Sequence, residues 1–375
     1  MEEAAACGRA ASAPALALTE PSMEEEMTEN PRWRNRPPGS NWGEFGPDDQ
    51  LGRLNLLTRE KLLQGVAEVR EGRSFCLSLP LDVPGGNVLN ARRFPPRLQA
   101  TERDGMPNMN FPLHRVDPHH IDVICDDAVL LHLQYSTQWD SLCHVGQLFD
   151  ADGDGRAEIV YYNGYRGNED VIGPMDYRGG GARPVDEPIG ARRLGIENMA
   201  RSCVQGRGVM IDLHAHFAGE GKAVGYDALM RVLETDKVEV ERGDLVCLRT
   251  GYDRMLLGMG GKPDVERLDR SCATLAGRDE KLLQWITDSG LAALISDNYG
   301  VEAIPSGEGH GEAFAYLPLH EHCLFKLGVN LGELWYLSEL ADWLRAHRRS
   351  RFLLTAPPLR LPGAVGSPAT PVATV

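Results

Sequence analysis

The sequence predicts a mixed α/β domain, a sheet with helices packed on its faces. Three observations carry that expectation. Helical and strand-like patterns alternate along most of the chain. The strand-like runs are short and apolar, as in Gly208-Val-Met-Ile-Asp-Leu213. No internal repeat divides the chain of 375 residues, so one domain is expected over 39–375.

The elements follow in order. Residues 1–38 are rich in Ala, Glu and Pro and carry no period, which predicts a disordered arm. Arg59 to Val69 reads as a helix, with Leu62, Leu63 and Val66 at helical spacing. Ser74 to Val83 reads as a strand. Leu130 to Ser136 alternates: Leu131, Leu133 and Tyr135 are apolar, while His132, Gln134 and Ser136 are polar, which predicts a strand with a polar face. Gly208 to Leu213, Asp244 to Arg249 and Leu291 to Ser296 are expected as buried strands. Tyr226 to Glu234 and Asp279 to Asp288 are expected as helices, the second closed by Gly290. Gly332 to His347 is the strongest helical pattern, with Leu334, Leu337, Leu340 and Leu344 on one stripe and basic residues in the last turn. Arg351 to Thr355 reads as a final strand. From Ala356 onward prolines exclude helix and predict an extended Pro/Gly-rich tail.

The chain carries 39 Lys+Arg against 54 Asp+Glu, a net charge of −15, which disfavours nucleic acid or an anionic membrane surface as partner. Its apolar runs fall well short of the roughly 20 residues of a membrane helix. The N-terminus lacks a basic region and its apolar stretch is short and Pro-interrupted, unlike a secretory signal. The eight cysteines are scattered without CxxC spacing, which suits thiols in a reducing cytoplasm better than a disulfide frame.

The stretch His132-Leu-Gln-Tyr-Ser-Thr-Gln-Trp-Asp-Ser-Leu-Cys-His144 carries the most chemistry. Extended chain would set Gln134, Ser136, Gln138 and Asp140 on one face and Tyr135 and Trp139 on the other. His144 lies one helical turn beyond Asp140. A carboxylate and an imidazole so placed suit metal binding or proton transfer. Spacing alone equally fits a polar strand end with Asp140 as helix N-cap.

The segment resembles the signature of the cyclase family of metal-dependent hydrolases, which includes kynurenine formamidase and isatin hydrolase: His-x-Gly-Thr-His-x-Asp-x-x-x-His. Here it reads Gln134-Tyr-Ser-Thr-Gln138-Trp-Asp140-Ser-Leu-Cys-His144. Further segments are similar to the longer members: Asp48-Asp-Gln-Leu-Gly-Arg-Leu-Asn-Leu-Leu57, Tyr161-Tyr-Asn-Gly-Tyr165, Gly243-Asp-Leu-Val-Cys-Leu-Arg-Thr-Gly251, Ser296-Asp-Asn-Tyr-Gly-Val-Glu302, Pro318-Leu-His320 and Leu331-Gly-Glu-Leu334. The resemblance implies the family's swivelling β/β/α fold, with a mixed sheet and flanking helices, and a homodimer or homotetramer.

It also implies a divalent metal, Mn or Zn, at Gln134, Gln138 and Asp140, with His320 and Glu333 as the later pair and His144 as proton shuttle. Gln134 and Gln138 depart from the family's two histidines. An amide oxygen is a hard neutral ligand, which suits Mn²⁺ better than zinc. The implied activity is hydrolysis of a small amide, N-formyl amide, lactam or lactone, as in arylformamidase chemistry. Two alternatives stand beside it: a metal-free ligand-binding or scaffold homologue, and a non-hydrolytic cyclase or dehydratase.

Weaker signals remain. Asp150, Asp152 and Asp154 with Gly155 resemble the start of a calcium loop, but Tyr161 stands where the bidentate Glu belongs, so an acidic turn is the rival reading. His214 and His216 would share a face if the strand before them continued, and offer a substitute ligand pair. His119-His120 reads as a solvated loop. Cys143 beside His144 is expected to be structural.

Overall fold

The structure, a computed structural model, describes residues 30, 32–218, 220–309, 311 and 313–375. Most of the expected N-terminal arm therefore lies outside the described residues. Its end does not behave as an arm: the backbone N–H groups of Arg34 and Asn35 donate to the Ala151 carbonyl, and Trp33 packs edge-on against buried Trp42. The described residues of this stretch pack onto the fold, where Trp33 supplies an anchor that composition does not reveal.

Among the described residues nine strands form one mixed sheet: β1 (Ser74–Cys76), β2 (Gln138–Asp140), β3 (Gln205–Asp212), β4 (Leu245–Arg249), β5 (Ala293–Ser296), β6 (Asn330–Glu333), β7 (Arg351–Thr355), β8 (Gly366–Pro368) and β9 (Val372–Thr374). The order across the sheet is β1-β9-β7-β3-β4-β5-β6-β2-β8. The centre, β3-β4-β5-β6, is parallel, and the flanks are antiparallel. Helices α1 (Arg59–Val66), α2 (Tyr226–Asp236), α3 (Glu280–Ser289), α4 (Pro318–His320) and α5 (Ser338–Ala346) accompany it.

Strand alternation sends side chains to two cores. Val209, Ile211, Val246, Leu248, Leu294 and Leu331 pack with Leu229 and Val232 of α2 and Leu282 and Ile286 of α3. Met210, Leu245, Cys247, Ala293 and Ile295 face the other way, against Leu340 and Leu344 of α5. The buried central strands are apolar on both faces, as a covered parallel sheet requires.

The tail determines the sheet's shape. Its two strands sit near opposite ends of the order, yet Pro368 and Val372 are separated by three residues. Flat strands about 4.8 Å apart would hold β8 and β9 about 34 Å from each other, whereas that much chain reaches about 14 Å. The sheet must therefore curl until its ends nearly meet. Thr137 sits at the closure: its hydroxyl donates to the Leu334 carbonyl at 2.6 Å and accepts from the Leu79 N–H at 2.9 Å. The tail is extended, as expected, but as two strands of the sheet.

Three sequence expectations need correction. Gly332 to His347 is not one helix. Its first residues complete β6, Leu334 takes a left-handed φ of +56°, and the helix begins only at Ser338. A carboxylate from elsewhere fixes that start: Asp253 accepts the N–H groups of Leu337 and Ser338, both at 2.8 Å. The apparent leucine stripe crosses two elements, and Leu334 packs in a separate cluster with Leu79 and Tyr252. Leu130 to Ser136 is not a strand either. Leu130 ends a small antiparallel ribbon with Arg97–Ala100, and residues 133–137 turn before β2. The third, Ser74 to Val83, keeps only Ser74–Cys76 in β1, with an isolated bridge from Ser78 to Trp335.

Candidate metal centre

The site forms where β2 meets β6. The two strands are antiparallel, with Gln138 opposite Glu333. Alternation places Gln138 and Asp140 on one face and Trp139 on the other, where it packs at 5.0 Å against Trp335. Both indoles are locked: Trp139 Nε1 donates to the Ala356 carbonyl and Trp335 Nε1 to that of Gln138. α4 brings His320 in from the segment before β6.

The polar groups meet closely. Gln138 Nε2 donates to Glu333 Oε2 at 2.9 Å, and His320 Nε2 lies 3.2 Å from Glu333 Oε1. Asp140, His320 and Glu333 each present a donor atom within 4.8 Å of the others. His144, in the turn after β2, brings Nε2 to 3.8 Å from Asp140 Oδ1.

Asp140 is the decisive residue. It is 0% exposed, and neither carboxylate oxygen has a hydrogen-bond partner among the described residues; nor does Gln138 Oε1. A buried carboxylate left this way is strongly disfavoured unless a cation compensates it. Burial raises its pKa to about 6, with His144 opposing and Glu333 adding to the rise. The amide is held by the Glu333 carboxylate, so its nitrogen faces Glu333 and its oxygen is left for the centre. Unsatisfied buried oxygens beside an imidazole fit a divalent cation: two carboxylates, one amide oxygen and one imidazole nitrogen.

The histidine and second carboxylate support each other. Burial disfavours charge on His320, but hydrogen bonds to Glu302 and Glu333 outweigh it and push its pKa up to about 10. Burial likewise works against the Glu333 charge, yet His320 holds that carboxyl below its ordinary range.

The Cyclase family model matches residues 75–303, more than half of the chain. The chain belongs to the cyclase family. A crystal structure described as a novel cyclase is 29% identical, with a TM-score of 0.68, over 91% of this chain and 100% of that one. Isatin hydrolase A from Labrenzia aggregata, bound to benzyl benzoate, is 13% identical with a TM-score of 0.51, over 84% of this chain and 97% of its own. That second likeness concerns the fold. Comparison with curated proteins finds no match.

The cyclase-family fold brings Gln138, Asp140, His144, His320 and Glu333 together. Gln134 sits differently: it lies half-buried in the turn before β2, its carbonyl accepting from Arg93 Nη1 at 2.8 Å. Its amide packs on Gly366, the register partner of Asp140. Alternation alone could not place it, because the extended run it assumed is a turn.

Sequence reasoning missed two residues. Arg93 stands near enough to favour the ionised forms of both Asp140 and Glu333. Glu302 is 0% exposed and accepts from His320 Nδ1 at 2.8 Å. Its segment was part of the family resemblance, but nothing local marks the side chain as turned inward.

His214 and His216 lie on a helical turn, so they do not share a strand face: His214 Nδ1 meets the Thr250 carbonyl and His216 Nε2 meets Asp236. Asp150 spends its oxygens on the N–H groups of Gly153, Asp154 and Gly155, an acidic turn. Asp150 and Asp152 cluster with Glu158 rather than Asp154, and Glu158 is paired to Arg166 at 2.8 Å. The Cys143 thiol is buried and pushed up to about 12, which makes it a poor nucleophile. Among the described residues no helix is long and apolar enough to cross a membrane.

Proposed function

We propose that this cyclase-family chain is a metal-dependent hydrolase of a small amide, N-formyl amide, lactam or lactone, with arylformamidase-like chemistry. The observation that carries the reading is Asp140: a fully buried carboxylate with both oxygens unpartnered among the described residues. Asp140, His320, Glu333 and the Gln138 oxygen would hold the ion, with Gln134 nearby. The oxygen-rich set favours Mn²⁺ over Zn²⁺. A divalent ion in this position supplies carbonyl polarisation and a more acidic bound water.

The chain's own residues would do the rest. His144 is partly open, its side chain 21% exposed, and adjoins Asp140, so it can take a proton at the centre and pass it to a leaving group or to solvent. Asp140 would orient that imidazole. The wall of Trp139 and Trp335 keeps water from the opposite side of β2. Arg93 would favour a substrate that develops negative charge. The cysteines described are free thiols, in keeping with a reducing compartment such as the cytoplasm. A homo-oligomer is part of this reading.

The test combines metal content with turnover. Protein purified without chelator should carry manganese or zinc, and a panel of N-formyl anilides, lactams and lactones should yield an active substrate. His144→Ala should abolish its turnover while leaving the melting temperature unchanged. Less than about a tenth of an ion per chain, with no binding of added Mn²⁺ or Zn²⁺, would leave the metal-free ligand-binding reading in its place.

A further inference from the structure

We infer that Glu302 is a positioning residue: it holds the Nδ1–H of His320 and thereby keeps Nε2 directed at Asp140 and Glu333. The inference rests on the proposed metal reading only for what Nε2 serves; the hydrogen bond and ring orientation are independent of it.

His320 lies between two buried carboxylates, each at one ring nitrogen. Glu302 Oε1 is 2.8 Å from Nδ1, and Glu333 Oε1 is 3.2 Å from Nε2. The two carboxylates are anchored differently. Glu302 also accepts the backbone N–H of His320 at 3.0 Å, that of Leu319 at 3.1 Å, and the Ser306 hydroxyl at 2.6 Å. It therefore grips the start of α4 and the ring it carries. Among the described residues Glu333 bonds side chains alone, Gln138 and His320, and no backbone N–H.

The backbone is shaped for this grip. Gly300 and Val301 both have positive φ, +94° and +57°. For β-branched Val301 that is a sparsely populated conformation, kept only where the surroundings enforce it. It turns Glu302 inward. Gly277 leaves room for the carboxylate: a Cβ there would collide with Glu302 Oε2. A helix cap alone would need neither the strained residue nor the bond to the ring. A carboxylate behind a ligating histidine fixes the ring nitrogen that faces the metal, and its loss commonly lowers metal affinity 10- to 100-fold.

The experiment uses the full chain labelled with ¹⁵N-histidine, as wild type, Glu302→Gln and Ser306→Ala, with His320→Asn to assign the ring signals. In metal-free wild type the His320 Nδ1–H proton should be strongly downfield and protected from solvent. In Glu302→Gln it should be lost or shifted upfield. Zinc should then perturb Nε2 and leave Nδ1 protonated, with affinity falling 10- to 100-fold in Glu302→Gln and severalfold in Ser306→Ala. An unchanged Nδ1–H signal in Glu302→Gln, or zinc on Nδ1, would overturn the inference. Failure of the wild type to bind zinc or manganese would overturn the metal reading instead, and the Nδ1–H comparison would still decide the role of Glu302. If Glu302→Gln does not fold, the milder Ser306→Ala must weaken the Nδ1–H signal, and an unchanged signal there counts against the proposal.

Discussion

Gln138 faces Glu333 across the seam of β2 and β6, and its amide nitrogen donates to the carboxylate at 2.9 Å. The amide oxygen is thereby left unpartnered beside Asp140. One hydrogen bond thus leaves a neutral side chain with a hard oxygen open toward the centre. An imidazole at this position would offer zinc a softer nitrogen. Gln138→His should raise zinc affinity by about tenfold or more relative to manganese. Competition binding of the two ions measures this, and an unchanged ratio would mean that position 138 does not face the ion.

Asp140 sets stability against binding. Its carboxylate is buried with no hydrogen-bond partner among the described residues, so the metal-free fold bears a desolvation cost that His144, His320 and Arg93 offset only in part. Asp140→Asn should abolish binding of Mn²⁺ and Zn²⁺. In the presence of chelator it should also leave the fold unharmed or make it more stable, by about 1–3 kcal/mol. Chelated wild type and variant are compared by denaturant unfolding. A marked loss of stability would show that Asp140 has a structural partner.

The pH response of the metal-free protein follows from the same groups. His320 titrates near 10 in the fold against an ordinary 6.5, because two carboxylates outweigh its burial. Its contribution to stability is present below about pH 6.5 and is lost as pH rises through about 10. Asp140, raised by burial to about 6 from 3.8, acts in the same sense: its contribution is present below 3.8 and lost as pH rises through 6. Chelated protein should therefore lose stability from these groups between pH 4 and 10, whereas loaded protein should gain, since ligation requires deprotonated ligands. Melting curves with and without ion should diverge as pH rises. Parallel curves would refute the assignment of these residues as ligands.

How much of this was legible in the sequence depends on where each residue's partners lie. The strands Gly208 to Leu213 and Asp244 to Arg249 were legible because burial on both faces leaves continuous apolar runs. The helix over Glu280–Ser289 was legible because its caps, Asp279 and Gly290, are local. The start at Ser338 was not, because Asp253 caps it from 85 residues away. Asp140, His320 and Glu333 were reached through motif resemblance, with no local pattern joining them. Glu302 escaped because its meaning depends on the backbone reversal at Val301 and on a ring 18 residues on.

Thiol reactivity tests burial across both cores. Cys76, Cys125 and Cys203 are exposed, while Cys143, Cys247, Cys272 and Cys323 are buried. Burial pushes the Cys143 and Cys272 thiols up to about 12 and raises those of Cys247 and Cys323 as well. In native protein at pH 8, iodoacetamide should label the exposed group and spare the buried four until denaturant is added. Peptide mass mapping reads the result, and early labelling of Cys247 or Cys323 would contradict the curled, covered sheet.

The loop that delivers β6 to the site depends on a contact between two glycines. Gly52 and Gly328 both take left-handed conformations, with φ of +58° and +61°. The Arg53 N–H donates to the Gly328 carbonyl at 2.8 Å, and a Cβ on Gly52 would collide with that same carbonyl. Gly328 closes the helical segment Glu321–Leu327, which continues α4 after His320, and β6 follows one residue later. Gly52→Ala therefore combines an unfavourable φ with a backbone clash and should destabilise the protein by about 2–4 kcal/mol. The displacement bears on the chain between His320 and Glu333, so the variant should also bind the ion more weakly, and added Mn²⁺ should restore less stability than in wild type. A variant that melts normally but binds weakly would separate the two effects. One that binds normally after losing stability would show that the glycine contact supports the fold without shaping the centre.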